Sequence, residues 1–214
     1  MKPGPLSRNV VFVFAFSNLA ALINYSATFA LGFLLSLYLQ IIRGFDSQIA
    51  GLILLSQPVL MAALSPLAGR LSDRVEPRIV SSWGMGLTAL GLFAFIFIGE
   101  MMPVWEIVLF LILIGVGFTL FSSPNTNAVM GSVEKRFYGV ASSTLATMRL
   151  LGQTISMAVA SLVIHLYLGD VKLNLASHEA LEKSIRVAFA VFAATCLVGV
   201  FASLARGNIN SNNR

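Results

Sequence analysis

The sequence contains little charge. Lys, Arg, Asp and Glu make up 11% of its 214 residues, whereas a typical soluble domain has about 25%. Hydrophobic residues reach 57% and the mean hydropathy is +0.86. This composition excludes an ordinary water-soluble domain and predicts an integral membrane protein, whose first partner is the lipid bilayer.

Cysteine and histidine are also scarce. Cys196 is the one cysteine and lies inside an apolar run, which excludes a disulfide framework within the chain. His165 and His178 are isolated, and no metal-ligand spacing or nucleophile-base pair is present. We therefore expect no metal site, no cofactor and no enzymatic activity.

The formal charge of +5 would suit a nucleic-acid partner in a soluble chain. Here the basic residues lie at the ends of apolar runs, which is typical of membrane topology. We expect no nucleic-acid partner.

Charge-free runs predict an all-α fold of six membrane-spanning helices, since each run approaches or exceeds the roughly 20 residues that a bilayer requires. The predicted spans are about 10–39, 49–68, 79–98, 105–128, 140–168 and 185–205. Ser177-His178-Glu179 resembles a helix start, so an earlier start along the surface is an alternative for the last span. Residues 1–9 and 206–214 are predicted to be terminal segments.

Basic residues predict the orientation of these helices. Gly69 to Arg78 forms a short charged hinge between charge-free runs of 23 residues (Ser47 to Gly69) and 21 residues (Ile79 to Gly99). One side of the membrane receives Lys2, Arg8, Arg70, Arg74, Arg78, Lys135, Arg136, Arg206 and Arg214. The other side receives Arg43, Lys172, Lys183 and, at the lip of the last helix, Arg186. The positive-inside rule then predicts a multi-pass protein of the cell membrane with both termini in the cytoplasm.

A polar stripe runs along the first predicted helix. Asn24, Tyr25 and Thr28 fall within it near the middle of the span, where an unsatisfied polar group is costly. We expect these side chains to line a cavity. Hydrogen bonding between helices is the alternative.

The fourth predicted helix carries a second polar stripe. Thr119 and Ser122 share one face, and Ser122-Ser123-Pro124-Asn125-Thr126-Asn127 is the most polar run in any span. We assign Thr119 and Ser122 to the cavity and place Asn125 and Asn127 near an inner gate. A kinked packing site at Pro124 is the alternative.

Arg149 is the charged residue well inside a span, on the fifth predicted helix. A guanidinium at this depth is costly unless it is paired or hydrated, so Arg149 is a functional candidate. Snorkelling toward the headgroups is the alternative.

The third and sixth predicted helices are mainly apolar, and we expect them to face lipid. Each set of three helices therefore begins with a polar-faced helix and ends with an apolar one. This order predicts two three-helix repeats of inverted topology.

The sequence resembles the major facilitator superfamily, in particular its multidrug drug:proton antiporter branch. The resemblance is carried by Gly69-Arg-Leu-Ser-Asp-Arg74 with Arg78, by Phe121 to Ser132, by Gly139-Val-Ala-Ser-Ser143 and by Met148-Arg-Leu-Leu-Gly152. The loop motif differs from the family pattern at Glu76-Pro77, where a second glycine is usual. The resemblance implies that the chain is similar to the carboxyl-terminal six-helix half of such a transporter.

The resemblance also implies roles and partners. Gly69, Asp73, Arg74 and Arg78 would act in the cytoplasmic closure, where Asp73 needs a partner from another bundle. The implied function is a half-length secondary transporter for efflux of small organic compounds or drugs, coupled to protons and working by alternating access. The second bundle would be a complementary half or a second copy. The alternative is a fragment or scaffold subunit that packs with a partner and transports nothing.

Overall fold

The computed structural model describes residues 8–169 and 178–205, without the side chains of residues 8–10 and Asp73. Of the predicted terminal segments, 1–9 is described only from Arg8 onward, and 206–214 lies outside the described residues. Lys2, Lys172, Arg206 and Arg214 lie outside them as well.

Six helical spans are long and apolar enough to cross a membrane, so the predicted fold class is confirmed within the described ranges. The helices are α1 (Arg8–Thr28), α2 (Leu31–Leu37), α3 (Ser47–Arg74), α4 (Pro77–Ala94), α5 (Val104–Gly131), α6 (Tyr138–Leu168) and α7 (His178–Ala205). A π-helical turn, Tyr38–Ile42, extends α2, and together with α1 it forms the first span, Val11–Ile42. The chain is a multi-pass membrane protein.

Local sequence signals account for several helix ends. The Asp46 side chain accepts a hydrogen bond from the Ile49 amide at 2.8 Å and so caps the start of α3. Pro77 is the first residue of α4, where its missing N–H is no loss. Only Val75 and Glu76 separate α3 from α4, so most of the predicted charged hinge is helical and only these two residues form the turn.

Helix packing follows the inverted repeat. The first span packs mainly against α6 and α7, and α5 packs mainly against α3 and α4. The first, second and third spans correspond to the fourth, fifth and sixth. If each span is replaced by its counterpart, the contacts of the first span with α6 and α7 become those of α5 with α3 and α4. The first span and α5 therefore hold equivalent positions in the two repeats.

Glycines allow a close crossing of α4 and α5. A Cβ atom on Gly84 of α4 would lie 2.5 Å from the Gly117 carbonyl oxygen, and one on Gly117 of α5 would lie 2.6 Å from the Gly84 carbonyl oxygen. Small residues let two backbones approach in this way in membranes, where packing rather than water exclusion drives association. The α4–α5 crossing is therefore tightly packed.

The most exposed spans are the second and the fifth. The most apolar windows of α3 and of the α6 span are 11% and 22% buried, against 56% for the first and third spans. The sequence had predicted the third and sixth spans to face lipid. Apolar composition does not distinguish a span that faces lipid from one that packs against other helices, because a lipid tail and a neighbouring helix are equally apolar surroundings.

Candidate functional site

A pocket of about 440 Å³ opens between the first span, α3 and α5. Its walls are largely apolar and aromatic, with a few polar side chains. The lining residues are Tyr25, Thr28, Phe29, Gly32, Leu54, Gln57, Pro58, Met61 and Phe118. A concave site of this size and composition is typical of small-molecule binding.

A break in the first span shapes one wall of the pocket. The α-helix stops at Thr28 and resumes at Leu31. The Ala30 amide of the break donates to the Ser156 hydroxyl of α6 at 3.0 Å, and the Thr28 hydroxyl donates to the Asn24 carbonyl oxygen at 2.8 Å. Because the Ser156 hydroxyl accepts the buried Ala30 amide, the α-helix can be interrupted here without leaving that amide unpaired.

Tyr25 lies between the pocket and Arg149. Its ring meets the ring of Phe118 edge-on at 5.2 Å between centroids, and the Arg149 guanidinium lies 5.5 Å from the Tyr25 centroid. Both distances fall within the ranges of favourable aromatic and cation–π contacts. A cation and two aromatic rings are thus placed together where α1, α5 and α6 meet.

Arg149 is held between α1 and α5. Its Nη2 donates to the Thr126 hydroxyl at 2.7 Å, while its Nε is buried and has no hydrogen-bond partner among the described residues. The side chain as a whole is half-buried.

The polar run of α5 contacts three helices in turn. Asn125 donates to the Ser17 carbonyl oxygen of α1 at 3.1 Å, and Asn127 donates to the Ser72 hydroxyl of α3 at 2.5 Å. The hydroxyl of Thr126, which lies between them in the sequence, accepts a hydrogen bond from Arg149 of α6. Successive residues point about 100° apart on a helix, so consecutive side chains reach different neighbours.

The α3–α4 turn carries the other predicted gate residues. Arg74 is exposed at the end of α3, and Arg78 pairs with Glu76 at 3.5 Å. Gly69 has open space beside it, because a Cβ atom added there would have no neighbour within 4 Å. Asp73 lies in the last turn of α3, and its side chain is outside the described residues.

The structure brings only some of the predicted cavity residues together. Tyr25 and Thr28 line the pocket, whereas Asn24 is fully buried and is not part of its wall. Thr119 donates to the Gly115 carbonyl oxygen and lines a separate space of about 110 Å³ between α3 and α5. Ser122 is half-buried, and its carbonyl oxygen accepts the Thr126 hydroxyl.

The sequence-based interpretation assigned no site role to several residues of the pocket and its surroundings, among them Phe118, Gln57 and Thr126. Thr126 had a signal, because it lies in the polar run of α5. The sequence carried little signal for Phe118 and Gln57. A phenylalanine in an apolar helix and an isolated glutamine can be assigned to a site only once the pocket is known.

A family model decides the classification: the Major Facilitator Superfamily model matches residues 18–211. The chain belongs to the major facilitator superfamily. The match covers nearly the whole bundle, and the bundle is the fold that the sequence resemblance had implied.

Several transporters are similar to this major facilitator chain. The uncharacterized transporter YebQ of Escherichia coli is 35% identical over 64% of this chain and 30% of its own length. The riboflavin transporter RibZ of Clostridioides difficile is 26% identical over 69% of this chain and 32% of its own length. The multidrug resistance protein Stp of Mycobacterium tuberculosis is 31% identical over 67% of this chain and 27% of its own length. The matched stretch spans about a third of the length of these relatives.

Proposed function

We propose that this chain supplies one six-helix bundle of a secondary transporter that exports small organic compounds across the cell membrane by alternating access. Protons are the proposed counter-ion. The observation that carries the proposal is the pocket between the first span, α3 and α5 of a major facilitator bundle, whose lining residue Tyr25 also contacts Arg149. Similarity to a riboflavin transporter and to a multidrug resistance protein supports a small organic substrate.

In this proposal, the site residues divide into a cavity and a gate. Tyr25 and Thr28 contact the substrate, and Asn24, Thr119 and Ser122 belong to the helix faces that change exposure during the cycle. Gly69, Asp73, Arg74, Arg78, Asn125 and Asn127 form the gate at the end of the bundle that faces the cytoplasm, together with both termini. Hydrogen bonds from α5 to α1 and α3 support a gate, because they hold these helix ends together.

A second bundle completes the proposed passage. The uncovered faces of α3 and α6 support this step, because α6 exposes a row of hydroxyl and imidazole side chains at Ser143, Thr147, Thr154, Ser161 and His165. Such a row suits a protein neighbour or water better than acyl chains. The neighbour is a complementary six-helix half or a second copy of this chain.

Transport into proteoliposomes tests the proposal. The chain is reconstituted alone and with a candidate first half, and uptake of radiolabelled riboflavin and of tetraphenylphosphonium is measured with and without a pH gradient. Flux that appears or rises with the second bundle, and that follows the pH gradient, is the expected result. Absence of flux in both preparations, with a stable complex between the bundles, would favour the rival function of a non-transporting scaffold.

Asp73→Asn probes the gate assignment, with Asp46→Asn at the opposite end of α3 as the matched control. We expect Asp73→Asn to abolish flux while membrane insertion is preserved, and the control to retain flux. Normal flux in Asp73→Asn would remove this residue from the gate.

A further inference from the structure

The charge pattern within the spans of the bundle is one-sided. Every carboxylate whose side chain the structure describes lies in a connection or in the first turns of a helix: Asp46, Glu76, Glu100, Glu106, Glu134, Glu179 and Glu182. Arg149 lies about 16 Å along α6 from Tyr138, at 1.5 Å per residue. The spans of this bundle therefore present a cation between their ends and, within the described residues, no anion to match it.

The Arg149 guanidinium is also short of acceptors. Of the five N–H donors of an arginine, one is directed to Thr126, and no carboxylate pairs with the group among the described residues. The buried Nε donor has no partner within the same part of the chain. A planar fork of unused donors matches a carboxylate, sulfonate or phosphate group, which can accept two parallel hydrogen bonds.

Arg149 is not itself a lining residue of the pocket, but it contacts Tyr25, which is, and the pocket is aromatic. Phe29, Phe118 and the Tyr25 ring contribute to its wall, and the Tyr25 hydroxyl and the Gln57 amide form no hydrogen bond within the described ranges. Flat apolar surfaces with a few free polar groups at their edge favour a planar ring system that carries its own polar substituents.

From these features we propose that the Tyr25–Arg149 site binds aromatic organic anions. The Arg149 guanidinium donates hydrogen bonds to the acidic group of the ligand. The rings of Tyr25, Phe29 and Phe118 contact its aromatic ring system. The inference rests on the proposed function for the role of the site in transport, and it names the substrate class. A lipophilic cation is disfavoured, because it would bring a second positive charge next to Arg149 with no carboxylate of the described residues to balance it.

Binding of three matched compounds tests the proposal on the full chain in lipid nanodiscs. The probes are radiolabelled 2-naphthoate, the neutral 2-naphthamide and the cation 2-naphthylmethylammonium, measured by equilibrium dialysis. We expect 2-naphthoate to bind at least about 10-fold more tightly than the cation, since a charge-assisted pair at a partly buried site typically contributes a factor of this order.

Two substitutions separate a binding role from a structural one. Arg149→Gln should weaken 2-naphthoate binding about 10-fold or more and leave 2-naphthamide binding nearly unchanged, while Arg149→Lys should restore part of the anion preference. Arg136→Gln is the matched control, because Arg136 is an exposed arginine paired with Glu134 at 2.9 Å outside the site. It should change none of the three affinities.

The outcomes are distinguishable from failure of the transport proposal. Preference for the cation, equal losses for all three compounds in Arg149→Gln, or no binding of 2-naphthoate by the unaltered chain would each overturn the anion site. Flux of tetraphenylphosphonium in proteoliposomes, together with any of those results, would leave the transporter proposal intact and remove only the assigned substrate class.

Discussion

At the scale of single residues, two buried asparagines of the bundle differ in their hydrogen bonding. Asn24 is 0% exposed, and neither its Nδ2 nor its Oδ1 has a hydrogen-bond partner among the described residues. Asn125 is also buried but donates to the Ser17 carbonyl oxygen at 3.1 Å. An unpaired buried amide costs about 1–3 kcal/mol, whereas a paired one is close to neutral or favourable.

Replacing each asparagine by leucine should therefore have opposite effects. Asn24→Leu is expected to raise the free energy of unfolding by about 1–3 kcal/mol, because it removes an unsatisfied buried group of similar size. Asn125→Leu should lower it by a similar amount, since the Ser17 carbonyl loses a donor. Reversible unfolding in mixed detergent micelles measures both, and a loss of stability in Asn24→Leu would mean that the amide is satisfied in the folded state.

The Tyr25–Arg149 contact can be measured by a double-mutant cycle with Tyr25→Leu and Arg149→Met. A partly buried cation–π pair should give a coupling energy of about 0.5–2 kcal/mol. Tyr25→Phe keeps the ring and should retain most of the coupling. Additive effects in the same unfolding assay would show that the guanidinium and the ring do not stabilise each other.

At the scale of helices, the sequence predicted where spans exist better than how they bend and pack. Long apolar runs were enough to identify six spans. The break at Phe29 and Ala30 was not predictable, because neither residue is a helix breaker and the stabilising hydroxyl, Ser156, is 126 positions away in the chain. The pocket wall depends on that distant contact, so only the polar stripe containing Tyr25 and Thr28 indicated it.

The glycine crossing gives a prediction for helix packing. Gly117→Ala should lower the free energy of unfolding by about 1–3 kcal/mol or more, because the new methyl group would meet the α4 backbone and force the helices apart. Gly86→Ala on α4 is the control, since no atom lies within 4 Å of its Cβ position. The control should be neutral or slightly stabilising, because alanine favours the helix. Equal effects of the two substitutions in unfolding experiments would argue against a tight crossing.

At the scale of the whole molecule, orientation in the membrane is predicted from charge alone. Arg70, Arg74, Arg78, Lys135 and Arg136 lie on or beside connections at one end of the bundle, and the positive-inside rule assigns this end to the cytoplasm. Composition and charge thus predict the membrane class and an orientation. They do not identify the uncovered spans, because that depends on which apolar surfaces meet inside the bundle.

Cysteine labelling in intact cells tests the orientation. Glu100→Cys and Glu134→Cys place a thiol on exposed connections at opposite ends, while the native Cys196 is buried. A membrane-impermeant maleimide should label Glu100→Cys in intact cells and Glu134→Cys only after permeabilisation. The reverse pattern would invert the proposed topology, and the unaltered chain supplies the background.

The three consecutive contacts of Asn125, Thr126 and Asn127 make the register of α5 unusually sensitive. Deleting one residue between the start of α5 and Pro124 would turn this segment by about 100° relative to the rest of the helix. Each of the three side chains would then point about 100° away from its present partner. All three hydrogen bonds would be lost together. Substitutions in this stretch can be absorbed one at a time, but length changes cannot.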